Sequence, residues 1–291
     1  MTTTPIAAED VLRTACRDIG IKADGITPLR RHATGVYLLP RPQVVARLSP
    51  ASKAHAITTS IQLTRWLMTH QFPTVEPLDI SQPLLHGPYA ITFWRHYPQP
   101  GTVPTAGHLG ALLKDLHSLP SPPIELPAYR PLESLKDIAG GNGILPPETV
   151  SWLLEQINAL TAEFSSLSSP LGVGLVHGDA YPGNTVWDGT SVRLGDWDEA
   201  AQGPRELDLA NTFQGIRFGR TPREIDSFAS AYGHDPRSWP GLLTLIKIRD
   251  LHTLGSFVRR AAQGDRAAQH QLNHRLQSLR RGDRHARWDI F

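Results

Sequence analysis

The residues best suited to chemistry are His177-Gly178-Asp179-Ala180-Tyr181-Pro182-Gly183-Asn184, followed further on by Arg193-Leu194-Gly195-Asp196-Trp197-Asp198. Between them lie Thr185-Val186-Trp187, then Asp188-Gly189, then Val192-Arg193-Leu194. Apolar residues flanking an Asp-Gly pair predict a β-hairpin. With the turn centred near Gly189-Thr190, Asp188 faces Ser191. Counting outward, Asn184 then faces Gly195, so Asn184 and Asp196 lie side by side at the open end. An amide and a carboxylate there are hard oxygen ligands of the kind that hold Mg²⁺ together with phosphates. Asp179 sits five residues before Asn184, in the loop entering the hairpin. A carboxylate at that point can accept the proton of an attacking hydroxyl. The spacing therefore fits phosphoryl transfer at all three positions.

The string His-Gly-Asp-x-x-x-x-Asn, then a hairpin ending in Asp, resembles the aminoglycoside phosphotransferase and choline kinase superfamily. Gly203-Pro204-Arg205-Glu206-Leu207-Asp208-Leu209-Ala210 is similar to that family's run after the metal aspartate. The specific match covers residues 177–210; the order of elements agrees over nearly the whole chain. The resemblance implies an α+β, protein-kinase-like fold in two lobes, strand-rich first and mostly helical second. It further implies ATP or GTP as donor, Mg²⁺, and a hydroxylated small molecule such as an aminoglycoside, amino sugar or amino alcohol as acceptor. By that likeness Asp179 is the catalytic base, Asn184 and Asp196 are metal ligands, and His177 and Asp208 brace the loop.

These residues need elements to position them. An amphipathic helix is predicted over about 5–19, with extended pieces at Ile26–Arg30, Val36–Leu39 and Val44–Leu48 and a Pro40-Arg41-Pro42 turn. A helix follows from about Lys53 to His70, then an extended piece, Tyr89–Trp94. That piece runs into the Pro- and Gly-rich stretch Tyr97-Pro98-Gln99-Pro100-Gly101, and Trp94–Gly101 is read as the hinge between an N-lobe at 1–96 and a C-lobe at 97–291. Beyond it, apolar residues recur at helical spacing around 109–116, 150–167, 223–232 and 242–262.

In the first lobe, Thr34 and Gly35 fall where such kinases turn over the phosphates. Small residues there let backbone N–H groups approach an anion, or simply make a turn. Val44-Val45-Ala46-Arg47-Leu48 resembles the strand carrying the phosphate-binding Lys, with Arg47 in its place. Arg keeps the charge but not the geometry of Lys. The family's usual Glu partner is missing, because residues 51–75 contain no Asp or Glu and Ser60 takes its place. Arg47 is thus expected to meet donor phosphates with no partner on the 53–70 helix, and a distant acid paired with it would count against that reading. Trp94 and His96 belong to the segment that would offer backbone groups to a purine, or else pack between lobes. Asp198, Glu199 and the C-terminal Phe291 fall near the expected acceptor; Phe291 serves there or packs as a tail with Trp288. The missing Glu also supports an alternative, a catalytically weak kinase-like protein that binds a nucleotide or metabolite.

Bulk properties set the frame. The chain has 291 residues, 40% of them hydrophobic, enough for two lobes with real cores. Its 29 basic and 27 acidic side chains argue against a surface built for nucleic acid. Ten Lys or Arg against four Asp or Glu after Leu245 could attract an anion, but they read first as solvated helix faces. The single cysteine, Cys16, permits no intrachain disulfide and sits at helical spacing among apolar residues. No signal peptide and no apolar run near the ~20 residues of a membrane span are seen. A cytoplasmic protein whose partners are a nucleotide and a small molecule is expected.

Overall fold

The computed structural model describes residues 8–30, 35–141 and 143–289. Two compact units emerge. One takes in the chain through Pro104 with Leu119–Leu126 and Gly183–Ala200; the other holds Thr105–Ser118, Pro127–Pro182 and the chain from Ala201 onward. The fold is α+β, with an antiparallel five-stranded sheet in the first unit and mostly helices in the second.

The first unit is built on α1 (Ala8–Asp18) and on β1 (Thr27–Arg30), β2 (Gly35–Leu39), β3 (Val44–Pro50), β4 (Leu84–His86) and β5 (Tyr89–Arg95), in the order β1-β2-β3-β5-β4. Alternation along β3 does the essential sorting. Val44, Ala46 and Leu48 enter a core with Val11, Leu12, Ala15 and Cys16 of α1 and with Ile91 and Phe93 of β5. Val45 and Arg47 fall on the other face. Burial in that core pushes the Cys16 thiol up to about 11, so it is packing and not a nucleophile. α2 (Ala54–Thr69) follows β3, as its apolar spacing predicts, and buries Ser60, Ile61, Leu63 and Leu67.

The predicted hairpin forms with Thr185 opposite Leu194, Val186 opposite Arg193 and Trp187 opposite Val192. The pairing continues at both ends: Asp188 N–H donates to Ser191 O at 3.0 Å, and Gly195 N–H donates to Asn184 O at 2.8 Å. This is the register read from the sequence.

The second unit contains α3 (Ala106–Ser118), α4 (Glu133–Gly141), α5 (Pro147–Ser165), α6 (Glu206–Gln214), α7 (Pro222–Tyr232), α8 (Gly241–His252), α9 (Leu254–Ala262) and α10 (Arg266–Arg280). A short antiparallel pair, Val173–Val176 with Ala201–Pro204, leads into the His177 loop. The single helical stretch expected over 242–262 is two helices meeting at Thr253. The apolar period runs through that junction without a break, so the sequence gives no sign of it. α4 and α10 have too few buried apolar residues to announce themselves: α4 buries only Leu135 and Ala139.

α3 and α7 approach so closely at Gly110 that a Cβ there would lie 2.5 Å from Phe228 O and 3.2 Å from Tyr232 N. Both are backbone atoms, and they cannot move aside cheaply. Gly110→Ala is therefore expected to destabilise the protein by about 1–3 kcal/mol through overpacking. Gly140, with nothing within 4 Å of its Cβ position, is the control. Gly140→Ala should leave stability unchanged or raise it by up to ~1 kcal/mol from helix propensity. Thermal melts should fall for Gly110→Ala and not for Gly140→Ala; equal losses would contradict the close-approach account.

Candidate active site

In the first unit, a cavity of about 680 Å³ is lined by Val36, Arg47, Ser60, Trp94, Asn184 and Asp196, among others. β3 alternation aims Arg47 into it, opposite Thr92 of β5. The hairpin register brings Asn184 and Asp196 to it from the other side of the sequence. Asn184 is buried, whereas Asp196 stays open to solvent. Asp196 has left-handed backbone, φ 65° and ψ 62°. That conformation costs energy for a non-glycine residue, least for Asp and Asn, and clusters at functional sites.

A docking contact missed in the sequence holds the hairpin in place. Leu194 N–H donates to Pro73 O at 2.9 Å, and Val75 N–H donates to Leu194 O at 3.0 Å. Fully buried Thr74 donates its hydroxyl to Leu194 O at 3.1 Å and accepts Trp197 Nε1–H at 2.8 Å. Gly195 is required here, since a Cβ would fall 2.9 Å from Val75 Cγ1. Thr74 and Leu194 are far apart in sequence, so no local pattern signals the contact.

Arg47 corrects the sequence reading. α2 carries no acid that could meet it, yet it is not unpaired. Its NH1 lies 3.1 Å from Asp196 Oδ1 and its NH2 lies 2.8 Å from Asp198 Oδ2. The expectation that phosphate alone orients this side chain therefore fails: two acids from the 196–198 segment replace the absent helix Glu. Burial by itself would lower the Arg47 pKa, but the two carboxylates outweigh it and the net shift is upward. Asp198, read as an acceptor residue, spends one oxygen on Arg47. Glu199 is exposed.

Trp94 and His96 both line the cavity. Trp94 donates Nε1–H to Thr92 Oγ1 at 2.8 Å. The backbone N–H groups of Arg95 and His96 are spent on Glu76 O and Gln43 O, at 2.8 and 2.9 Å. Burial lowers the His96 pKa. Gly35 forms the first residue of β2, opposite Leu48. Thr34 and Phe291 lie outside the described residues.

In the second unit, the His177–Asp179 loop is held from two helices. Asp208, fully buried in the first turn of α6, accepts His177 N–H at 2.7 Å and Gly178 N–H at 2.9 Å. It also meets His117 Nε2 at 3.1 Å, and His117 Nδ1 meets Tyr232 OH at 2.8 Å. Burial alone would raise the Asp208 carboxyl, but the His117 hydrogen bond and charge, with His177, hold it below its ordinary value. His177 is itself fully buried, and its Nδ1 accepts Asp179 N–H at 3.3 Å. From α8, Arg249 donates to Gly178 O at 2.9 Å and to Asp179 Oδ1. Arg249 was passed over in the sequence as one of many basic helix residues.

The donor set fits a hard divalent cation. No three His, Cys, Asp or Glu gather among the described residues in a way that could hold a metal ion. An amide and a carboxylate on one cavity wall are what Mg²⁺ takes when phosphates supply its other ligands.

The opposite end of the hairpin, its turn, is closed by Asp188. Asp188 accepts Thr190 N–H and Ser191 N–H, both at 2.8 Å, and Arg193 Nε–H at 2.7 Å. The Ser191 bond, opposed by burial and joined by Thr190 and Arg193, holds its carboxyl far below the usual carboxylate range. A depressed carboxyl stabilises the fold above its unfolded pKa of ~4 and loses that contribution as pH falls toward the folded value. Asp188→Asn should cost about 1–2 kcal/mol near neutral pH. The gap between wild type and variant should stay constant above pH ~5 and narrow below pH ~4. Denaturant melts across that range check it, and a gap that widens on acidification would contradict it.

The profile of the phosphotransferase enzyme family, APH, matches residues 26–243. No curated protein matches the sequence significantly. Among solved structures, the amicoumacin kinase hAmiN, in complex with AMP-PNP, Ca²⁺ and Ami, superposes with a TM-score of 0.73 at 13% identity, covering 98% of this chain and 96% of that one. A choline/ethanolamine kinase family protein from Mesorhizobium loti gives 0.66 at 14% identity, covering 95% and 96%. Spectinomycin phosphotransferase APH(9)-Ia, in complex with ADP and its antibiotic, gives 0.62 at 18%, covering 95% and 94%. At these identities the likeness carries the fold, while the family match spans well over half of the sequence: the chain belongs to the APH phosphotransferase enzyme family.

Proposed function

We propose that the protein moves the γ-phosphate of ATP or GTP to a hydroxyl of a small molecule, such as an aminoglycoside, amino sugar or amino alcohol. The observation that carries this reading is the hairpin register, which sets Asn184 and Asp196 on the wall of the cavity that Arg47 enters. Asn184 and Asp196 would hold Mg²⁺, which when bound offsets phosphate charge. Asp179 is the base for the acceptor hydroxyl. Contacts to the phosphates are assigned to Thr34 and Gly35, and the purine side to Trp94 and His96. Asp198, Glu199 and Phe291 are the acceptor-side candidates. The antibiotic and choline kinases of similar fold support a hydroxylated small acceptor. The nucleotide complexes among them support the donor.

Arg47 must exchange at least one of its two carboxylates for phosphate oxygens if it is to grip the donor. A guanidinium can do so, since its fork serves either anion. Arg47→Ala should raise the nucleotide KM and lower kcat, together by roughly 10–100-fold in kcat/KM, the worth of a charge-assisted bond. Ser60→Ala should do almost nothing. The same ion pairs favour a second reading, a weakly catalytic nucleotide-binding protein in which Arg47 merely fills the site. Unchanged or improved turnover in Arg47→Ala would decide for that one.

The direct test of the reaction is Asp179→Asn. The change is isosteric and removes only the proton acceptor. Nucleotide affinity should stay near wild type while transfer to any acceptor found in a panel of hydroxylated compounds falls by ~10²–10⁴. Turnover equal to wild type would remove Asp179 from the mechanism.

A further inference from the structure

Arg249 is an expensive residue for its position. It lies in α8 among buried Leu245, Ile248 and Leu251, and is only 4% exposed. Taking a guanidinium out of water is costly, and apolar side chains of similar volume often pack such places at least as well. Its sequence neighbour Asp250, also buried, places its carboxylate on Arg217 Nε at 2.8 Å and on Gln214 Nε2 at 3.0 Å. Arg249 instead spends two nitrogens on consecutive groups of one loop, Gly178 O and Asp179 Oδ1. Asp208 takes N–H groups of the same loop, those of His177 and Gly178. The loop is thus gripped by an anion at its donors and by a cation at its acceptors.

We infer that Arg249 is a positioning residue for the transfer reaction, fixing the plane of the Asp179 carboxylate so that it meets the acceptor hydroxyl in line. The inference rests on the reading of Asp179 as base. Two donors from one rigid fork fix both the peptide before Asp179 and one oxygen of its carboxylate. The carboxylate then cannot turn about its own bond, and rotational freedom near the reacting atoms is what positioning must remove. A lysine keeps the charge but offers a single nitrogen on a flexible stem, so it cannot hold both groups in that geometry.

The experiment is a double-mutant cycle. Arg249→Lys and Arg249→Met are made in wild type and in Asp179→Asn, and kcat, nucleotide KM and melting temperature are measured for each. In wild type, Arg249→Lys should lower kcat by ~10²-fold with little change in nucleotide KM. In Asp179→Asn the same change should cost less than about threefold more, because the group it orients no longer acts as a base. A purely structural role would lower the melting temperature by the same amount in both backgrounds and would multiply the two kinetic losses. Multiplying losses, or wild-type turnover in Arg249→Lys, overturns the inference. Arg249→Met removes the charge altogether; if it fails to fold, the lysine variant alone completes the cycle. Wild-type turnover in Asp179→Asn by itself overturns the base assignment and the inference with it, whereas collapse there with multiplying losses overturns the inference alone.

Discussion

The arrangement of the second unit depends on one buried carboxylate. Asp208 is fully removed from solvent, yet it is held below its ordinary pKa because donors surround it. A buried charge is tolerated only when its lone pairs are filled. Here the donors that fill them are the backbone N–H groups of His177 and Gly178, with His117 as a third. The path of the loop brings both of its N–H groups onto this one carboxylate. Gly178, at φ +83°, allows the chain to turn as it must. Fold stability and the shape of the loop carrying Asp179 are thereby the same constraint.

The first unit solves a related problem with the opposite charge. Arg47 is aimed into a cavity by strand alternation, and a guanidinium there needs partners. In the resembling kinases a helix glutamate is expected to meet it, but α2 has no acid. The 196–198 segment supplies two, and it can do so because Thr74 and Val75 pin the hairpin's second strand and Gly195 admits their close approach. The left-handed backbone at Asp196 belongs to the same device.

Where the sequence was legible, it was legible through short-range rules. The apolar alternation around Asp188-Gly189 defines the hairpin and, by counting, the pairing of Asn184 with Gly195. The apolar stripes of α1, α2, α3, α5 and α7 announce those helices. What sequence reading missed are partners distant along the chain. Nothing in Val44–Leu48 indicates that Arg47 will meet Asp196 and Asp198. Nothing in α8 separates Arg249, buried on a loop carbonyl and a carboxylate, from the exposed basic residues around it. Charged residues in a helix default to solvent in any periodicity argument, and only packing decides otherwise. The lack of an acid at residues 51–75 likewise did not leave Arg47 alone.

Among the described residues no helix is long and apolar enough to cross a membrane. What matters most is the claim that Asn184 and Asp196 form the metal end of a nucleotide site. Calorimetric titration of AMP-PNP into wild type and Asp196→Ala, each with and without Mg²⁺, addresses that claim without knowledge of the acceptor. If Asn184 and Asp196 form the metal end of a nucleotide site, Mg²⁺ tightens binding to wild type by about tenfold or more, and Asp196→Ala loses most of that gain while keeping its metal-free affinity. An equal Mg²⁺ effect in both proteins, or nucleotide binding to neither, would contradict the account.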